Sequence, residues 1–150
     1  MKSSAFRRCG ALPLIFGVLF LAGCSGGSSG GGGGFPDPRQ EQRDKDDLRT
    51  LGIAFHDMEF SSPKPPAKPD DLGPSVKNDQ RLLGRLRSGE IVFLYNVRLV
   101  QMTDGATNTI LAYLKDVPTN GGLVLFGDGA VRKITADEFN KAPKAKPKGK

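Results

Sequence analysis

Ten consecutive residues, Ser25–Gly34, are serine or glycine and nothing else. Such a run has almost no side chain to bury and the most backbone entropy to lose, so no core can include it. Whatever folds must be built from residues before it or after it. As a random coil, ten residues span about 16–19 Å root mean square, which predicts a flexible tether. The polar stretch after it, with Pro36 and Pro38, extends that tether to residue 43. A phosphate-cradling glycine loop needs a strand before it and GK[ST] after it, and the sequence offers neither.

The residues before the run have the order of an export signal. Lys2, Arg7 and Arg8 make a basic start, Gly10 to Leu21 is apolar, and small residues follow. The apolar run is too short for a comfortable span, which needs about 20 residues. Leu21-Ala22-Gly23-Cys24 resembles the lipobox of bacterial lipoproteins. A thiol can take a diacylglyceryl group as a stable thioether, and small residues before it let the extended backbone enter the signal peptidase. The resemblance implies a signal peptide over 1–23, cleavage before Cys24, lipid on its sulfur and an acylated amino terminus. Cys9 would leave with the signal. The same residues also fit an ordinary cleaved signal, or an inserted helix, with a chance cysteine. Ser25 stands where inner-membrane retention would want Asp. The expected location is extracytoplasmic and membrane-anchored, at the outer membrane in a Gram-negative host and otherwise on the outer face of the cytoplasmic membrane.

The chain carries 22 Lys+Arg against 16 Asp+Glu, a net of +6. The excess sits at the ends, in the signal and in Lys141, Lys144, Lys146, Lys148 and Lys150, so the interval between is slightly acidic. The tail 141–150 alternates Lys with Pro, Ala and Gly, and this predicts a disordered basic tail. It is a candidate contact for an anionic surface or else a solubilising tail without a partner. Nucleic-acid binding would need aromatic or groove-reading residues among the lysines, and there are none. Two Cys, one His and no Trp exclude a Cys-rich zinc module and a disulfide framework.

Between tether and tail the hydrophobic period changes once. Leu48, Leu51, Phe55 and Met58 recur at helical spacing, with Asp44 or Asp46 as the cap and Ser61-Ser62-Pro63 as the stop. A proline-rich loop follows, with one helical turn at Asp70–Leu72. Asn78 or Asp79 can cap a short helix bearing Leu82, Leu83 and Leu86, with Gly89 ending it. From Ile91 the pattern is β-type. Strands are expected at Ile91–Val100, Thr109–Leu114, Leu123–Phe126 and Ala130–Ile134, with a two-residue hairpin turn at Asp128-Gly129. Val117–Gly122 reads as a loop, and Thr135-Ala136-Asp137-Glu138 has capping-box form. The expected domain is α+β over 44–140, its helices packed on one face of an antiparallel meander.

Two stretches are similar to a known family. Asp47-Leu48-Arg49-Thr50-Leu51-Gly52-Ile53-Ala54-Phe55-His56-Asp57 resembles the NLKQIGLALHNYHD segment of prepilin-like proteins. Gly121-Gly122-Leu123-Val124-Leu125-Phe126-Gly127-Asp128-Gly129-Ala130-Val131 resembles the GGxNVLFxDGxV hairpin of the same prepilin-type processing-associated H-X9-DG group, which is related to type II secretion pseudopilins. The resemblance implies a pilin-like head, a helix lying across an antiparallel sheet. Pro118 stands where the family has its namesake His, and the long hydrophobic stem is replaced by the lipobox and tether.

The supply of reactive groups is small. His56 is the sole histidine, and Asp57 and Glu59 are its neighbours in sequence. General acid–base work needs a positioned partner, and a boundary histidine on the helix is the expectation. No second His completes a metal pair. Asp104, Asp116 and Asp128 sit in turns, where turn formation explains them more cheaply than Ca²⁺, which takes six to eight oxygens. Neither GxSxG nor SxxK occurs. The expectation is a non-enzymatic lipoprotein without metal or cofactor beyond its lipid, touching the membrane through its anchor and other envelope proteins through its head. The alternative is an accessory component of a type II secretion or pilus-like apparatus.

Overall fold

A computed structural model describes residues 37–147, which lie within one compact unit, Phe35–Lys150. The signal, the lipobox Leu21–Cys24 and the Ser/Gly run lie outside the described residues. The fold begins with helix α1, Pro38–Ser61. Asp37 caps it, accepting a hydrogen bond from the Arg39 amide at 3.0 Å, and Pro38 fills the first helical position, where a missing N–H costs nothing. The helix therefore starts well before the expected caps, and the domain begins by Asp37 rather than residue 44. Asp44 and Asp47 lie inside α1 and are buried. They continue the stripe that Leu48, Leu51, Ala54 and Phe55 make, so the inward face is unbroken but changes from ionic to apolar along its length. An apolar periodicity finds only the second part. Ser62 and Pro63 stop the helix as expected, with the Ser62 amide donating to Met58 O.

A single 3₁₀ turn, Pro69–Leu72, leads to α2, Gln80–Arg87. The Asp79 carboxylate caps α2 through the Arg81 and Leu82 amides, and Gly89 follows its end at φ +73°. The strands are β1 (Ile91–Phe93), β2 (Ile110–Leu114), β3 (Gly122–Phe126) and β4 (Val131–Ile134). They form one antiparallel meander in the order β1-β2-β3-β4, as the sequence predicts. β1 is far shorter than expected. Asn96 takes a left-handed φ of +60° and its amide donates to Pro66 O, turning the chain into a second 3₁₀ turn, Leu99–Gln101.

Helix layers cover both faces of the sheet, not one. Leu123 and Leu125 join α1, α2, Ile91 and Phe93 in the larger core. Val124 and Phe126 point the other way, onto Val117 and Phe139. Val117–Asn120 is a short helix, α3, where a loop is expected, and Ala136–Lys141 is α4. Thr135 and Glu138 make the expected capping box, each side chain bonded to the other's backbone amide. The β3–β4 turn is a three-residue loop, Gly127–Gly129. Gly129 N–H donates to Phe126 O, and Phe126 N–H donates to Ala130 O. Only Gly129 takes a positive φ, +83°, so the turn is a type I turn closed by a left-handed glycine rather than a two-residue loop.

The basic run also differs from the expected disordered tail over its described part. Lys141 closes α4. Pro143–Ala145 lies parallel to Ile110, whose amide donates to Pro143 O at 2.9 Å and whose carbonyl accepts from the Ala145 amide at 2.8 Å. β1 pairs no further along β2 than Ala112, so this strap takes the stretch of edge that β1 leaves.

Candidate functional site

The structure places the two family-like stretches against each other. Gly52 is the closest point: a methyl added there would lie 3.0 Å from Leu125 Cδ1 and 3.4 Å from Gly129 Cα. A glycine inside a helix costs about 1 kcal/mol against alanine, and the close passage of the β3–β4 hairpin is the reason for it here. His56, one turn on, is half-buried beneath the same hairpin. Its Nε2 would be 3.6 Å from a methyl at Gly129 and has no hydrogen-bond partner among the described residues. Its ring meets Phe55 edge-on at 5.9 Å. The carboxylates that could have served it are engaged elsewhere, Glu59 with Arg98 at 3.1 Å and Asp128 with Arg132 at 3.2 Å. Among the described residues the ring packs against Phe55 and the hairpin.

Asp128 has a structural task as well, accepting the Ala130 amide at 3.0 Å. The Asp104 carbonyl accepts from Asn108 Nδ2, and Asp116 O accepts from the Thr119 hydroxyl and from the Thr119 and Asn120 amides. Among the described residues no group of three or more His, Cys, Asp or Glu side chains converges as a metal site.

The densest electrostatic feature joins α1 to α2 and was not legible in the sequence. The side chains of Asp47, Asp44 and Arg85 are 4%, 11% and 11% exposed. Arg85 reaches Asp47 at 2.6 Å, Asp44 at 2.8 Å and Glu90 at 3.2 Å. Arg81 makes a two-pronged pair with the same Asp47. Burial opposes ionisation of Asp47, but hydrogen bonds from Arg81 and Arg85 outweigh it and hold the carboxyl below the usual range. Burial likewise opposes the Arg85 charge, and the bonds to Asp47, Glu90 and Asp44 more than reverse that. Through these bonds the cluster ties α1 to α2. Because Asp47 is more acidic folded than unfolded, its contribution is present above about pH 4 and lost as pH falls through that range. Asp47→Asn should therefore flatten the loss of stability between about pH 5 and pH 2 in urea titrations, while lowering stability at neutral pH.

The lysines predicted as surface contacts separate into two kinds. Lys144 turns inward: its Nζ donates to Phe139 O at 2.9 Å and Ala142 O at 3.3 Å and sits 4.4 Å over the Phe139 ring. Lys141 and Lys146 are exposed, while Lys148 and Lys150 lie outside the described residues. A cleft of about 320 Å³ separates the strap from the second 3₁₀ turn, with Gln101, Met102, Asp104, Thr109 and Lys146 on its walls. Tyr95 keeps a buried hydroxyl without a partner among the described residues. Burial, aided by the charges of Asp70 and Asp71, pushes it up to about 12, so it stays neutral and packs against Phe93.

No helix among the described residues is long and apolar enough to cross a membrane. Compared with protein-family models, with curated proteins and with solved structures, the chain matches none.

Proposed function

We propose that the chain is a lipid-anchored envelope lipoprotein whose α+β head is a non-enzymatic structural or interaction module. The observation that carries this reading is Leu21-Ala22-Gly23-Cys24 at the end of an apolar run, followed by Ser25–Gly34 and, within a few residues, by a capped helix that opens a self-contained domain. Lipid at Cys24 would hold the head at the membrane, and the Ser/Gly run would set its reach at roughly 16–19 Å root mean square. Three arginines of the head are held in ion pairs: Arg85 between Asp44 and Asp47, Arg98 on Glu59, Arg132 on Asp128. A pilin-like head is the finer reading, supported by α1 lying against β3 and β4 and by contact between the two family-like stretches at Gly52 and Gly129. Ile53 and Phe60, exposed and seven residues apart on α1, favour a second role, docking of that helix in a secretion or pilus-like assembly.

Two measurements test the anchor. Globomycin, which blocks the lipoprotein signal peptidase, should leave a larger, uncleaved form. Cys24→Ser should abolish incorporation of labelled palmitate. Unchanged size under globomycin together with unchanged labelling of the variant would sink the proposal.

A further inference from the structure

We infer that the outer crest of α1 is a self-complementary surface on which a second copy of this chain docks, its α1 running antiparallel about a two-fold axis at Ile53. Successive helical residues are turned by about 100°, so Asp46, Arg49, Ile53, Asp57 and Phe60 lie within about 40° of one line along α1. All five are exposed, Ile53 by 64% and Phe60 by 85%. Leu51 and Phe55, which are buried, point about 160° away from that line. The crest is therefore the side of the helix turned away from the core, and the core uses neither of its apolar side chains.

The order of residues along this line selects the occupant. Arg49 stands four residues before Ile53 and Asp57 four after it, with Asp46 seven before and Phe60 seven after. A two-fold contact requires one patch to complement itself, and this spacing does so when two crests run antiparallel. Ile53 then meets Ile53 of the second copy at the axis, and Arg49 faces Asp57 of the second copy on both sides of it. Arg49 reaches Asp46 only at 4.0 Å, and Asp57 makes no ion pair among the described residues. Phe60 lies over the Gln42–Asp46 turn of the second copy, where Gln42 Nε2 already donates to Asp46 Oδ1 at 2.9 Å. Parallel crests would set Arg49 beside Arg49 and Asp57 beside Asp57. An antiparallel register with Ile53 on Phe60 would bring the two Asp57 carboxylates together. Both alternatives juxtapose like charges, which disfavours them. Two apolar side chains per copy are a small contact against the roughly 1,200 Å² of a stable interface, so the pairing is weak and reversible. It is a property of the head, and the proposed anchor would only concentrate copies on one surface.

Ile53→Cys and Phe60→Cys are each prepared in the full chain with Cys9→Ser and Cys24→Ser, so that the introduced thiol is the only one, and are oxidised in detergent solution. Residues 53 of two antiparallel copies meet at the axis, whereas residues 60 stand about 21 Å apart along it, beyond the reach of a disulfide. A covalent dimer at 53 and none at 60 is expected. A dimer at 60, alone or together with 53, would mean a parallel or unspecific contact, and none at 53 would mean no self-contact on this face. Either result overturns the inference. Charge reversal reads the same contact without a thiol. In sedimentation equilibrium, Arg49→Asp and Asp57→Arg should each weaken self-association by about tenfold, or about 1.4 kcal/mol, because two symmetric pairs are lost at once. The two changes combined in one chain should restore it. Equal association in all the chains, or a double variant no stronger than the singles, would also overturn the inference. Because Cys24 is absent from the thiol variants, their result is independent of lipidation, which palmitate labelling tests alone.

Discussion

Arg85→Met is expected to destabilise the domain by about 3–5 kcal/mol, the usual consequence of removing one member of a buried ion pair. For a domain of this size that is a fall in melting temperature of about 12–25 °C. Asp44 and Asp47 are nearly inaccessible, and Arg85 is the group that reaches both, with Glu90 on its other edge. Without it Asp47 keeps Arg81, but Asp44 keeps only the Gln40 amide at 2.8 Å, and a neutral donor does not balance a buried charge. The methionine fills the volume, so the loss measures charge rather than cavity. Arg85→Lys should recover only part of it, because one ammonium cannot present the planar fork that spans three carboxylates. Chemical denaturation followed by circular dichroism checks the series. A methionine variant within 1 kcal/mol of the parent would mean that the cluster contributes specificity but little stability.

Gly121→Ala is expected to cost about 2–5 kcal/mol, for two reasons that add. Gly121 ends α3 at φ +71°, where a side chain costs about 1–2 kcal/mol. The added methyl would also stand 2.7 Å from Ile134 O, 3.1 Å from Thr135 Cα and 3.2 Å from Ala136 N. These are backbone atoms at the β4–α4 junction and cannot rotate away, so the clash adds an overpacking cost of about 1–3 kcal/mol. Gly84→Ala is the matched control. It lies in α2 with nothing within 4 Å of the new methyl, so helix propensity should make it neutral or stabilising by up to about 1 kcal/mol. Equal melting temperatures for the two variants would contradict the packing described at Gly121.

These two residues also mark where sequence reasoning succeeds and where it stops. The ends of α2 and the start of α4 were legible because their chemistry is local: Asp79, Gly89, Thr135 and Glu138 do what their neighbours in sequence require. The meander was legible from Leu123–Phe126 and its partners, where β-type runs are separated by turn residues. The first ten residues of α1 were not. Their buried positions hold Asp44 and Asp47, whose partners lie about 40 residues away on α2, and no local pattern announces a long-range ion pair. The helical Val117–Asn120 was hidden for a similar reason, since its burial depends on Phe139 and Ile134, which are distant in sequence. In the candidate site, His56 could be placed on the helix, but the hairpin that covers it is a tertiary fact. The link from Arg98 to Glu59 and Pro63 at the end of α1 is another.

The strap beside Ile110 bears on the order in which the molecule can be completed. A chain made from its amino terminus delivers β2 well before Pro143–Ala145. During that interval Ile110 presents an amide and a carbonyl without their eventual partners. An open strand edge is the part of a nascent sheet most prone to pair with another chain. Seating the strap is therefore the closure of an open edge rather than a docking of preformed layers. Until it happens, the domain depends on whatever keeps neighbouring copies apart.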